Sequence, residues 1–146
     1  MEIKVGVVGA TGYAGAELVR LLLNHPYAKL TAISSVTFEG QKISEVYPSY
    51  LGLCDMVCKT QEEVVEKCDV VFAALPHGLS QELAAACAKR MKFFIDLGAD
   101  FRLEDEETYK TWYGCEFLDK ALHEQAVYGL PELFRPFIRG KSLIAN

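Results

Sequence analysis

Short unbroken apolar runs alternate along this chain with longer stretches in which apolar residues recur at helical spacing. Residues 3–8 form an apolar run rich in β-branched side chains, which predicts a strand covered on both faces. From residue 13 to 24, Leu18, Val19, Leu21, Leu22 and Leu23 fall along a broad helical face. His25-Pro26 ends that helix, because proline disfavours the α conformation in the residue before it. Residues 29–34 predict a second strand; Gly40, Pro48 and Gly52 then break up a segment in which only a strand over 53–58 is expected. A short helix over 61–67, a buried strand over 69–75, a helix over 79–90 and a buried strand over 93–97 follow. Beyond Arg102 the acidic residues 104–107 suit a helix start, where negative charge meets the positive end of the helix dipole, and the helix should run through Tyr113. After the turn-rich residues 128–132 the pattern closes on a strand over 142–146, with no internal repeat, low-complexity tract or linker. The expected fold class is α/β, a doubly wound and mostly parallel sheet with helices on both faces.

Composition narrows the function. A chain of 146 residues, 51% of them hydrophobic, suits one domain with a continuous core over 1–146. The formal net charge is -5 with scattered Lys and Arg, so no basic face is expected to neutralise a nucleic-acid backbone. No apolar run approaches the roughly 20 residues that span a bilayer, and residues 1–5 lead straight into a strand rather than reading as a signal peptide. Five cysteines at irregular spacing argue against a disulfide framework and for reduced thiols, so a cytoplasmic location and no membrane partner are expected.

The chemistry begins in Gly9-Ala10-Thr11-Gly12-Tyr13-Ala14-Gly15, between the first strand and the first helix. Gly9 allows the tight turn, the missing side chain of Gly12 lets backbone N–H groups approach a phosphate, and Gly15 permits close packing of helix on sheet. Set in that context, the loop points to a dinucleotide pyrophosphate and a Rossmann-like fold, against the alternative of a plain turn. About 20 residues on, where an NAD enzyme carries an acidic residue for the ribose 2′-hydroxyl, stand Ser34-Ser35-Val36-Thr37. A carboxylate there would repel a 2′-phosphate, so its absence, with small hydroxyl residues in its place and Lys42 not far beyond, leans towards NADP, although serines at a strand end also serve as loop formers.

Pro76-His77-Gly78 and Gly98-Ala99-Asp100-Phe101-Arg102 fall at strand ends, where open α/β sheets bind ligands, and both are expected to open onto the crevice of the glycine loop. His77 reads as a proton carrier or as a hydrogen-bonding loop residue, with the second role favoured for a histidine lacking a visible partner. Arg102 offers a guanidinium for a phosphate or carboxylate, against the alternative of a surface pair with Glu104 or Asp105.

Other chemistries are removed by inspection. Gly140-Lys141-Ser142 echoes a P-loop, but Arg135 stands where its first glycine belongs. Cys54 and Cys58 have no second metal-spaced pair and the three histidines are far apart, so no metal is expected and the two thiols read as small buried hydrophobes. No tyrosine is followed four residues later by lysine, which excludes the short-chain dehydrogenase pair.

With these residues in place, the chain resembles the N-acetyl-γ-glutamyl-phosphate reductases of arginine biosynthesis, relatives of the aspartate-semialdehyde dehydrogenases. The resemblance covers the whole chain and rests on Val5-Gly-Val-Val-Gly-Ala-Thr-Gly-Tyr-Ala-Gly-Ala-Glu-Leu18, Ala74-Leu-Pro-His-Gly78, Asp96-Leu-Gly-Ala-Asp-Phe-Arg102, Trp112-Tyr-Gly114 and Ala126-Val-Tyr-Gly-Leu-Pro-Glu132. It implies NADPH-dependent reduction of an acyl phosphate, in which a cysteine thiolate displaces phosphate and hydride then releases the semialdehyde. By the same resemblance Gly9, Ala10, Thr11, Gly12, Tyr13, Ala14, Ser34 and Ser35 would contact NADP, Pro76 and His77 would line its pocket, and Arg102 would hold the substrate phosphate. A homo-oligomer is the expected state of the complete enzyme.

Two departures stand out. Family members often carry an arginine directly after the serine pair to hold the 2′-phosphate, where this chain has Val36. The family's nucleophilic cysteine lies in a Pro-Gly-Cys-Tyr-Pro stretch directly after Ile-Ala-Asn, which here is Ile144-Ala145-Asn146. That cysteine and the substrate domain are therefore expected beyond Asn146, and no catalytic residue is assigned within 1–146. The expectation is a cofactor domain that binds dinucleotide without turnover, with a stand-alone NAD(P)-binding or sensor module as the alternative.

Overall fold

A computed structural model describes residues 2–146 and divides the chain into two compact units, Met1–Ala74 and Leu75–Asn146. The first contains β1 (Ile3–Val8), α1 (Tyr13–Leu23), β2 (Ala28–Ser34), α2 (Ile43–Val46), a 3-10 turn (Pro48–Tyr50), β3 (Cys58–Lys59), α3 (Gln61–Lys67) and β4 (Val70–Ala73). Its strands lie in the order β3-β2-β1-β4 and all pair in parallel. Parallel neighbours and covering helices explain why β1 buries the consecutive residues Val5 to Val8 instead of alternating.

The buried stripe of α1 is Gly15, Val19 and Leu22, narrower than the leucine-rich sequence suggested, since Leu21 is 55% exposed. Past Asn24 the His25 Nδ1 atom accepts from the N–H groups of Tyr27 and Ala28 at 3.2 and 2.9 Å, which shapes the turn into β2. α3 starts on a reciprocal cap, with Thr60 accepting from the Glu63 N–H at 3.2 Å and the Glu63 carboxylate accepting from the Thr60 N–H.

The strand expected over 53–58 is shorter than predicted. The N–H groups of Leu53 and Cys54 both donate to the Tyr50 carbonyl, each at 2.9 Å, so that stretch coils onto the 3-10 turn. Residues 56 and 58 then bond across to Ile43 and Gln41, and only Cys58–Lys59 reaches parallel register with β2.

The second unit contains α4 (Ser80–Lys89), β5 (Phe93–Asp96), α5 (Glu106–Tyr113), α6 (Lys120–His123), β6 (Val127–Tyr128), α7 (Pro131–Ile138) and β7 (Leu143–Ala145). Its strands lie in the order β5-β7-β6, again parallel. Parallel strands with intervening helices make this the Rossmann-like α/β class that the alternation predicted. The acidic start of α5 is a true N-cap, the Asp105 carboxylate accepting from the Thr108 N–H at 2.8 Å. α6, β6 and α7 were not foreseen. The first two are too short to show a period, and α7, with Pro131 in its first turn and Pro136 inside, buries none of its residues.

Candidate dinucleotide site

β1 delivers the chain into Gly9, whose φ of 81° is a conformation that glycine adopts without steric cost. The Gly9 and Ala10 N–H groups both donate to the Ser34 carbonyl, at 3.1 and 2.9 Å, fastening the loop to the end of β2. A Cβ at Gly15 would stand 2.0 Å from the Gly9 carbonyl oxygen, so α1 approaches the loop only because that carbon is missing.

Gly12 is different. A Cβ there would meet nothing nearer than the Gly9 oxygen at 3.5 Å, and its φ of -76° is open to any residue. Internal packing therefore makes no demand for glycine at position 12, whereas a ligand that must approach the backbone does. Gly12 is also the N-cap of α1, which has no side-chain cap and no acidic residue in its first turn. Glu17, one turn in, is held by Arg20 at 2.5 Å; that hydrogen bond keeps its carboxyl below the usual range and matches its charge. An uncapped helix start presents unsatisfied N–H groups and the positive end of the dipole, and so fits a pyrophosphate.

Two tyrosines that the sequence did not single out brace this loop. The Tyr47 hydroxyl donates to the Thr11 carbonyl at 2.7 Å, and the Tyr50 hydroxyl donates to the Ala16 carbonyl. The Thr11 and Ser35 hydroxyls lie 2.6 Å apart, and Ser35 Oγ accepts from the Phe38 N–H at 3.2 Å, so the serine pair at the end of β2 belongs to the same hydrogen-bonded loop system.

In the second unit the loops after β4 and β5 meet on one buried carboxylate. Asp100, fully buried, accepts from the N–H groups of Gly78 and Ser80 at 2.5 and 2.8 Å and from the Tyr109 hydroxyl at 2.8 Å. α4 carries no side-chain cap of its own on Leu79, so Asp100 closes its N-terminus from twenty residues further along. Burial, then the hydrogen bond and charge of Asp100, push the Tyr109 hydroxyl well above the usual phenol range. Asp96, also fully buried, accepts from the Gly98 N–H at 3.0 Å. Its burial raises the carboxyl above the ordinary range, against the pull of the Ser80 hydroxyl and the Gly98 N–H.

The His77 ring packs against Tyr113 with centroids 5.4 Å apart, directly before Gly78, whose N–H is the one Asp100 holds. Arg102 is not a surface pair with Glu104 or Asp105. Its Nη2 donates to the carbonyls of Leu97 and Asn146 at 3.2 and 2.8 Å, and its buried Nε has no partner among the described residues. The guanidinium lines a cavity of about 260 Å³ with Phe101, His123 and Tyr128. His123 lies between Phe101 and Phe117, and its Nε2 is 2.6 Å from the Leu103 carbonyl, which fixes the chain on either side of Arg102.

Cys54, Cys58, Cys68 and Cys87 are buried, and burial pushes the Cys58 thiol upward. Cys115 is half-buried, with its Sγ 3.4 Å from the Tyr113 carbonyl. Among the described residues no group of three His, Cys, Asp or Glu side chains is arranged to hold a metal, and no helix is long and apolar enough to cross a membrane.

The family model described as semialdehyde dehydrogenase, NAD binding domain, matches residues 4–140. An N-acetyl-gamma-glutamyl-phosphate reductase of Clostridium beijerinckii is 53% identical over 144 residues, covering 99% of this chain and 42% of the relative. One from Brachyspira hyodysenteriae is 51% identical over 133 residues, covering 91% and 38%. The chain thus spans about two-fifths of the length of these curated relatives, 42% and 38%. Among solved structures, aspartate semialdehyde dehydrogenase II of Vibrio cholerae aligns with a TM-score of 0.71 at 18% identity, over 100% of this chain and 42% of that one. The aspartate semialdehyde dehydrogenase of Candida albicans with NADP aligns at 0.62 and 24% identity, over 73% and 32%. At such identities the structural likeness speaks for the fold.

Proposed function

Because the chain belongs to the family of semialdehyde dehydrogenase NAD-binding domains, we propose that it is the cofactor domain of an NADPH-dependent reductase that converts N-acetyl-γ-glutamyl phosphate to the semialdehyde and phosphate in arginine biosynthesis. The observation that carries this reading is the uncapped start of α1 with sterically free space at Gly12, which suits a bound pyrophosphate. The names of the relatives supply the substrate, a small acyl phosphate. The family match crosses the boundary between the two units, which supports reading 1–146 as one dinucleotide-binding domain.

In this reading Gly9, Ala10, Thr11, Gly12, Tyr13 and Ala14 hold the pyrophosphate. Ser34 and Ser35 take the adenosine ribose, with NADP preferred because no acidic residue follows β2 directly. Bound NADPH supplies hydride. Pro76 and His77 are assigned to the cofactor by family resemblance, supported by the hold of Asp100 on the Gly78 N–H. Arg102 takes the substrate phosphate, its orientation supported by two backbone carbonyls and its Nε left for a ligand. None of the five cysteines is assigned as nucleophile, so 1–146 binds cofactor and the thiol chemistry belongs elsewhere in the enzyme. A homo-oligomer in the cytoplasm completes the proposal.

The test is the phosphate-dependent reduction of NADP by N-acetylglutamate semialdehyde in the native protein that carries this chain. Changing Arg102 to Ala should raise KM for phosphate roughly tenfold or more, the weight of a charge-assisted hydrogen bond, with NADPH affinity unchanged. An unchanged KM removes Arg102 from the substrate site, and absence of the reaction in the native protein removes the reductase reading.

A further inference from the structure

We infer that Lys59 is the residue that selects a 2′-phosphorylated dinucleotide, supplying from β3 the cation that position 36 lacks. This rests on the cofactor reading above and adds to it a residue that neither the glycine loop nor the serine pair pointed to.

β3 pairs with β2 so that Lys59 stands in register with Ser34 on the neighbouring strand. Both residues line one cavity of about 220 Å³ at the C-terminal ends of these strands, together with Ser35, Val36, Glu39, Thr60 and Glu62. Ser34 is 2% exposed, and its Oγ, buried in this wall, has no hydrogen-bond partner among the described residues. A buried hydroxyl without a partner calls for a polar guest. Val36 is 81% exposed and has no charge to offer. Lys59 is half-buried and makes no ion pair among the described residues.

Glu39 and Glu62 are the opposing terms. Glu39 lines the same cavity four residues after Ser35, Glu62 lines it three residues after Lys59, and both are exposed, so carboxylates are present after all near the strand end where none was expected. An acceptor there suits a free ribose hydroxyl and repels a phosphate, so discrimination depends on the balance between Lys59 and the two glutamates. The competing role for Lys59 is local: the Thr60 N–H first, and then the Lys59 charge, keep the Glu63 carboxyl low at the start of α3.

Dissociation constants of NADPH and NADH, measured on the native protein and on Lys59→Met, Lys59→Arg and Glu39→Gln variants, separate these roles. Methionine keeps the apolar stem and removes the charge. The expected result is a roughly tenfold weaker NADPH complex in Lys59→Met with NADH unchanged, restored in Lys59→Arg, and tighter NADPH binding in Glu39→Gln. Equal weakening of both dinucleotides would mean that Lys59 only supports α3, and would overturn the inference, as would no change in either. A native protein that binds NADPH and NADH equally also overturns it while leaving dinucleotide binding intact. A native protein that binds neither overturns the cofactor reading itself.

Discussion

Helices α1 and α4 both begin without a side chain of their own to cap them, and they solve the problem in opposite ways. α1 starts at Gly12 with no side-chain acceptor and no acid in its first turn. α4 has Leu79 as its N-cap, and the N–H of its first residue, Ser80, is taken by Asp100, a residue of a different loop that also takes the Gly78 N–H just before the cap. Unsatisfied N–H groups at a helix start attract an anion in both places. In the second unit the anion is built in and the site is closed; in the first it is left to a ligand. A glycine loop alone does not separate these outcomes, since Gly78, with φ of 85°, precedes α4 much as Gly9 precedes α1. What separates them is whether a carboxylate elsewhere in the fold reaches the helix start.

The comparison is broken most severely by Asp100→Ala. Three donors, two of them backbone N–H groups, lose their acceptor, and stability should fall by about 3 kcal/mol in denaturant titration. Hydrogen exchange at the Gly78 and Ser80 amides should accelerate, and unchanged exchange there would show that Asp100 is not the cap of α4. Asp100→Asn, which keeps an acceptor oxygen, should cost less.

Gly12→Ala should act on the open site in the opposite sense. The new methyl meets only the Gly9 oxygen at 3.5 Å, so stability should change by less than about 1 kcal/mol, while dinucleotide affinity falls roughly tenfold or more. A variant that binds NADPH as tightly as the native protein would show that the pyrophosphate does not approach this backbone.

The smallest expected effect belongs to Asp96, which lies behind the closed site. Its carboxyl is raised in the folded state by burial, so between the ordinary carboxylate pKa and the raised one the native protein holds more protons than the unfolded chain. Stability from this group is present at low pH and is lost as pH rises through that window. Asp96→Asn retains an acceptor for the Gly98 N–H and should flatten the fall in unfolding midpoint as pH rises above the ordinary carboxylate range. An unaltered pH profile would mean that Asp96 is not the titrating group.

Most of the strand and helix alternation was legible because long elements carry their own period. β1, α1 and α4 stand close to where hydrophobic spacing put them. The segment between β2 and β3 was not legible, since its backbone is paired through Tyr50, Gln41 and Ile43 rather than through any repeating pattern. α6 and β6, of four and two residues, are shorter than the periods that would reveal them. In the candidate site the glycines, the serine pair and Arg102 could be named from spacing. Tyr47, Tyr50 and Lys59 could not, because each reaches its place through strand register or a hydroxyl bond far along the chain.

By itself, then, the sequence determined an α/β chain with a loop that fits a dinucleotide, because periodicity and glycine placement act over a few residues. It also held, in motifs spaced along 5–132, the family to which the chain belongs. Only the tertiary structure decided which helix start is open and which is filled, and which charges stand beside Ser34. Those depend on contacts between residues 20 or more positions apart, where the chain's fold, and not its local order, sets who meets whom.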